Sequence, residues 1–112
     1  MNKKKGGLLK ELEQKIEANL QIQNEYERCI NILTNRNDNY NYVYNETFKP
    51  DWPGKKYINT NIYKNILEYR QSLIDDICHN NNLIDWYKNK LEKTINISNF
   101  LQRLYFFINF NF

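Results

Sequence analysis

Apolar residues recur at helical spacing through much of this chain, and the longest such pattern lies in its middle. One stripe follows steps of four, three, four and four residues and contains Ile62, Ile66, Tyr69, Leu73 and Ile77. A second stripe beside it contains Tyr63, Leu67, Ile74 and Cys78. Together the stripes cover roughly half of the helix circumference, whereas a surface helix needs an apolar arc of little more than ~100°. We therefore expect other segments, or a partner, to cover this helix from two sides.

An earlier helix is predicted over residues 8–33, with an apolar face that changes direction along its length. The face of its first half is made by Leu9, Leu12, Ile16 and Leu20. The face of its second half is turned by roughly a quarter circle and is made by Ile22, Tyr26, Cys29, Ile30 and Leu33. Because this turn exceeds the slow drift of a regular heptad repeat, the sequence argues against a continuous two-stranded coiled coil. It favours a helix that touches two different neighbours.

Two segments outside these helices are predicted to be irregular. Residues 1–7 read as a flexible basic arm, because Gly6 and Gly7 weaken a helix and three lysines would oppose its positive N-terminal dipole. Residues 34–60 are rich in Asn, Tyr, Pro and Gly. Within them, residues 35–39 are expected to end the helix, since Asn and Asp side chains compete for backbone hydrogen bonds. Residues 40–44 alternate in the manner of a short strand.

These patterns predict an all-α fold, either a three-helix bundle or a helical hairpin with a long aromatic loop between its first two helices. The helices are expected at about residues 8–33, 61–79 and 83–108, with three consecutive Asn residues at 80–82 separating the last two. Residues 8–112 are long enough for one domain with a modest core.

Composition and charge narrow the function classes only slightly. Aromatic residues make up 15% of the chain, which argues against disorder. Asn is about one residue in six, well above the usual share. The net charge of +3 and pI of 8.8 are mild, whereas nucleic-acid binders usually show a clustered basic footprint. Cys29 and Cys78 lie far apart at apolar positions, so we expect free thiols in a reducing, intracellular compartment. No apolar run is long enough to predict a transmembrane segment.

Catalytic and metal-binding signals are weak. Glu68, Asp75 and His79 fall on one side of the central helix, and Asp75 and His79 are one turn apart, a spacing that can share a metal ion. Two ligands do not make a site, and a solvated polar face explains the same pattern. We therefore predict neither metal nor cofactor, and a protein that is not an enzyme.

The last 13 residues are the most unusual part of the chain, because apolar side chains would surround a helix formed by them. They either fold back to close the core or dock onto another chain; membrane anchoring ranks third, because no Lys/Arg-rich polar face accompanies them. The docking alternative predicts a non-enzymatic accessory subunit of a larger assembly or homo-oligomer. The expected partner-binding residues are Trp52, Tyr57, Leu104, Phe107, Phe110 and Phe112.

A small nucleic-acid-binding module is the alternative function. Basic residues near Trp52 and Tyr57 would neutralise phosphates while these rings stack on bases. The candidate residues are Lys3, Lys4, Lys5, Lys55 and Lys56. Binding of this kind weakens steeply as the salt concentration rises.

Overall fold

A computed structural model describes residues 2–46 and 61–111 of the chain. These residues form two long helices, α1 (Asn2–Glu46) and α2 (Asn61–Asn111), and contain no strand. The helices pack together as a helical hairpin. The prediction of an all-α fold is therefore confirmed, and of its two variants the three-helix bundle is wrong.

The expected helix ends at residues 35–39 and 80–82 are absent, and three Asn side chains of these segments bond across the hairpin. Asn80 Nδ2 donates to Asn37 Oδ1 at 3.0 Å, and Asn37 Nδ2 donates to Asn81 Oδ1 at 2.9 Å. Side chains engaged in this way do not compete for the backbone hydrogen bonds of their own helix. Residues 34–46 consequently continue α1, including the expected strand at 40–44, and residues 47–60 lie outside the described part.

The first residues also belong to α1, although we expected an arm separate from the helix. Lys5 Nζ donates a 2.8 Å hydrogen bond to the backbone carbonyl of Asn109. That carbonyl lies in the last turn of α2, where carbonyl groups have no partner within their own helix. Gly6 and Gly7 adopt no positive φ angle. Both glycines are helical, and Lys5, immediately before Gly6, joins the start of α1 to α2.

The low-exposure positions of α1 repeat every three and four residues without interruption, which is the spacing of a two-stranded coiled coil. We call these positions the α1 seam: Leu9, Leu12, Ile16, Asn19, Gln23, Tyr26, Ile30, Leu33, Asn37, Tyr40 and Tyr44. The prediction of two differently directed faces is wrong, because it followed apolar residues only. Leu20 and Ile22 are exposed, whereas Asn19 and Gln23 occupy the seam and hydrogen-bond to each other at 2.8 Å.

The α2 helix has an equally regular seam. It consists of Tyr63, Ile66, Arg70, Leu73, Ile77, Asn80, Ile84, Tyr87, Leu91, Thr94, Ser98, Leu101, Tyr105 and Ile108. The central segment was expected to be covered on two sides, yet Leu67, Tyr69 and Cys78 are exposed. Helix α1 covers only one face, and the surplus apolar positions face solvent.

The chain divides into two compact units, each containing a part of both helices. Unit 1 comprises Met1–Cys29 and Trp86–Phe112. Within unit 1 the helices are antiparallel: Tyr105 Oη donates to Glu13 Oε1 at 2.9 Å, while the rings of Tyr26 and Tyr87 are 6.0 Å apart.

Unit 2 comprises Ile30–Asp85 and is also antiparallel. Besides the Asn contacts, the Arg70 guanidinium lies 4.5 Å from the centre of the Tyr44 ring. A cation placed over an aromatic face is attracted by the ring quadrupole, more strongly when it is desolvated, and Arg70 is buried. The seam residues within unit 2 therefore include the cation of Arg70 and the hydrogen-bonded amides of Asn37 and Asn80.

Polar residues are as frequent as apolar ones among the buried positions of the described chain. The buried apolar side chains are Leu12, Leu33, Leu73, Ile84 and Ile108, and the buried polar ones are Asn37, Arg70, Asn80, Thr94 and Ser98. No large side chain in the described part is fully buried. With so few buried apolar side chains in the described residues, the apolar contribution to stability is small for a chain of this length.

Candidate functional site

The C-terminal part of α2 exposes a concentration of large apolar side chains. Phe100, Phe106, Phe107 and Phe110 are 63%, 59%, 56% and 74% exposed, and Ile97 is 53% exposed. Single exposed apolar residues are ordinary on protein surfaces, whereas contiguous ones mark interaction sites or aggregation hazards. These five residues lie within four helical turns of one another, so they form a candidate functional surface.

Four residues of this region share one helix face, which we call the aromatic stripe: Ile97, Phe100, Leu104 and Phe107. They follow steps of three, four and three residues, the spacing by which one helix packs against another. At ~100° per residue, the stripe is centred about a quarter turn away from the seam. Helix α2 thus carries a second row of apolar residues beside the face that α1 covers.

The orientation of the stripe is fixed by the seam residues between its members. Ser98 and Ile108 are buried, and the Tyr105 hydroxyl donates to the Glu13 carboxylate of α1. This hydrogen bond raises the pKa of Tyr105, because it stabilises the protonated phenol. The contacts hold α2 in one rotation within unit 1, so the stripe lies to one side of the face that α1 covers.

Aromatic contacts along α2 order the neighbouring rings. Phe106 and Phe110 are stacked with centroids 5.9 Å apart and planes inclined by 5°, while Tyr105 and Phe106 meet edge to face at 6.3 Å. Around the helix axis, Phe110 lies next to the stripe, and Phe106 lies on the far side of Phe110. The stripe and this stacked pair therefore divide the exposed rings into two groups with different directions.

At the end of unit 1 near Trp86, two aromatic rings contact each other and lie beside a lysine. Lys90 Nζ lies 5.4 Å from the centre of the Trp86 ring, and Trp86 meets Tyr87 edge to face at 5.0 Å. A hydrogen bond with Cys29 raises the pKa of Tyr87, and burial and the Glu25 carboxylate act in the same direction. Lys90 and Lys93 continue the spacing of the aromatic stripe towards Trp86, so the stripe changes from apolar to basic at this end.

The structure describes three of the six expected partner-binding residues. Leu104 is half-buried and Phe107 is exposed, and both belong to the aromatic stripe. Phe110 borders it, while Trp52, Tyr57 and Phe112 lie outside the described residues. The sequence-based selection omitted Ile97 and Phe100. Their spacing relative to Leu104 and Phe107 was the signal that would have identified them.

Of the five expected nucleic-acid-binding lysines, Lys4 and Lys5 are the two whose side chains the structure describes. Lys4 is exposed, whereas Lys5 is half-buried and donates to the Asn109 carbonyl. Lys55, Lys56 and the side chain of Lys3 lie outside the described residues. The described part of this candidate site is thus limited to Lys4 and Lys5, of which one contributes to the hairpin.

Glu68, Asp75 and His79 are exposed, and Asp75 accepts a 3.1 Å hydrogen bond from Gln71. The described residues contain no group of three or more His, Cys, Asp or Glu side chains placed to hold a metal ion.

Neither described helix has an apolar stretch long enough to cross a membrane. No known family, characterised protein or solved structure matches the chain.

Proposed function

We propose that this protein is a non-enzymatic docking module that binds another polypeptide through the aromatic stripe. The observation that supports this proposal is the regular spacing of exposed Ile97, Phe100 and Phe107 on a helix face that α1 leaves uncovered. Helices pack on one another through residues at this spacing. The accessory-subunit role expected from the sequence agrees with such a surface.

Energetic considerations favour a binding surface over a set of apolar side chains that are exposed without a role. Large aromatic side chains near the centre of an interface supply most of its binding free energy. The stripe is carried by a long helix that α1 already holds through Tyr105 and Ile108. Binding therefore costs little ordering of the backbone, which leaves more of the gain from burial as affinity.

Site-specific photo-crosslinking in cells that produce the protein tests the proposal. A benzoylphenylalanine replaces Phe107 in one variant and Glu92 in a control variant, because Glu92 is an exposed α2 residue outside the stripe. We expect the variant at position 107 to give a discrete protein adduct after illumination, since its ring would be buried against the partner.

The variant at position 92 measures nonspecific labelling, because it carries the same photoreactive group on the same helix. An adduct at position 107 that is several times stronger than at position 92 supports docking through the stripe. Equal labelling at both positions, or no protein adduct at either, would contradict the proposed function.

A further inference from the structure

We infer that the partner is a second copy of this chain, whose aromatic stripe packs antiparallel against the first. This inference rests on the proposed docking function. The spacing of the stripe, with steps of three, four and three residues from Ile97 to Phe107, reads the same in both directions. Such a stripe is complementary in spacing to its own antiparallel copy, as the two-fold symmetry of most homodimers requires.

The side chains also match in size when the stripe is paired with itself. A two-fold axis between Phe100 and Leu104 places Phe100 against the second copy's Leu104 and Ile97 against the second copy's Phe107. Each ring then meets an aliphatic side chain, and large and smaller groups alternate along the contact. This alternation allows the rows to interdigitate at the density of protein interiors.

The exposed area is sufficient for a stable dimer. An aromatic side chain buries about 150–250 Å² when it is covered, and Phe100 and Phe107 retain more than half of their area in the monomer. With Ile97 and the half-buried Leu104, the apolar contribution is on the order of 400 Å² per copy. Since homodimer interfaces are about 65% apolar, the whole contact would cover about 600 Å² per copy, at the lower end of the range for specific interfaces.

Adjacent phenylalanines provide a matched pair of variants. Phe107 lies on the stripe and Phe106 does not, although their exposures, 56% and 59%, are nearly equal. We expect Phe107→Glu to weaken dimerisation at least about hundredfold, because each dimer loses two buried rings, whereas Phe106→Glu changes it little. Sedimentation equilibrium of the full chain measures the dissociation constants, and circular dichroism verifies that helix content is retained. Phe100→Glu serves as a second stripe variant.

Crosslinking tests the orientation of the two copies. In the antiparallel register, the Arg103 residues of the two copies are offset by only about 3 Å along the helix axis, whereas the Lys93 residues are about 27 Å apart. A Cys29→Ser, Cys78→Ser background therefore receives either Arg103→Cys or Lys93→Cys. We expect a short bismaleimide to join the copies through position 103 alone. Efficient joining at both positions would indicate a parallel pairing and overturn the register.

The outcomes separate this inference from the proposed function. A purified chain that stays monomeric at high concentration, or a dimer equally affected by Phe106→Glu and Phe107→Glu, would overturn pairing through the stripe. If position 107 then crosslinks to a different protein in cells, the docking function stands with another partner. If position 107 labels only lipid, both the second copy and the protein-docking function are contradicted.

Discussion

At the scale of single residues, the seam of unit 2 is defined by amides rather than by apolar contacts alone. Asn37 and Asn80 are buried and hydrogen-bonded to each other, and Asn37 also bonds Asn81. An Asn placed in a coiled-coil seam fixes the register, because any other alignment leaves its amide without a partner. Its cost is the apolar burial that a Leu at the same position would contribute.

Substitution of this pair should show how the hydrogen bond between the two amides affects stability. We expect Asn37→Leu alone to lower the free energy of unfolding by about 1–3 kcal/mol, because the Asn80 amide loses its partner in a buried position. The double variant with Asn80→Leu should recover this loss and exceed the original stability, since both positions become apolar. Urea unfolding monitored by circular dichroism measures both changes.

The exposed Asn39 provides the control, because Asn39→Leu on the same helix should change stability by less than about 0.5 kcal/mol. A double variant that is less stable than Asn37→Leu would contradict the role assigned to the pair.

At the scale of secondary structure elements, α1 is longer than its local sequence favours. Gly6 and Gly7 lie near its start, and asparagines at 35, 37 and 39 lie within it. Each of these residues has a low helix propensity. The contacts of Lys5 with α2 and of Asn37 with Asn80 show how packing overcomes that preference. Contacts with α2 thus accompany the helical conformation of these low-propensity segments.

Replacement of the two glycines should stabilise this helix. Neither Gly6 nor Gly7 has a positive φ angle, and a Cβ atom at either position would have no neighbour within 4 Å. We expect Gly6→Ala and Gly7→Ala each to add up to about 1 kcal/mol to the free energy of unfolding, because alanine loses less conformational freedom. Urea unfolding of the full chain provides the measurement.

Ala18→Gly at an exposed position of the same helix is the matched reverse substitution, with an expected loss of about 1 kcal/mol. No stabilisation by either alanine, together with a clear loss at position 18, would show that the first turns of α1 fray in solution.

At the scale of the whole molecule, half of the buried positions in the described residues are polar, and large rings of α2 remain exposed. A second copy would cover the rings of the aromatic stripe and add apolar burial that two helices by themselves do not achieve. Stability and association would then be linked, because ligand or partner binding to the folded state alone shifts the folding equilibrium.

This linkage predicts a concentration-dependent melting temperature. We expect the Tm of the unmodified chain and of Phe106→Glu to rise by several degrees as the protein concentration increases a hundredfold, since a few kcal/mol of association free energy shift Tm by this order. The Tm of Phe107→Glu should stay constant over the same range. Differential scanning calorimetry at matched salt and pH measures the three series. A constant Tm for the unmodified chain would contradict coupling between folding and dimerisation.

The candidate surface could be predicted only in part. The crowding of apolar residues after position 100 identified Leu104, Phe107 and Phe110, because helical periodicity alone leaves some of them without cover. The expected partner-binding residues included Phe107 and not Phe106, but composition and hydropathy alone do not separate two adjacent phenylalanines. Their different directions depend on which face α1 occupies, and that face is defined by Ser98, Tyr105 and Ile108.

The sequence by itself determined the all-α class, because most apolar residues recur at helical spacing and the many aromatic residues argue against disorder. Only the tertiary structure decided that two helices form rather than three, and that Asn19, Gln23, Asn37 and Asn80 belong to the seams. Local propensity assigns Asn to helix ends and surfaces. A hydrogen-bonding partner on the facing helix reverses that assignment, and such a partner exists only once the chain has folded.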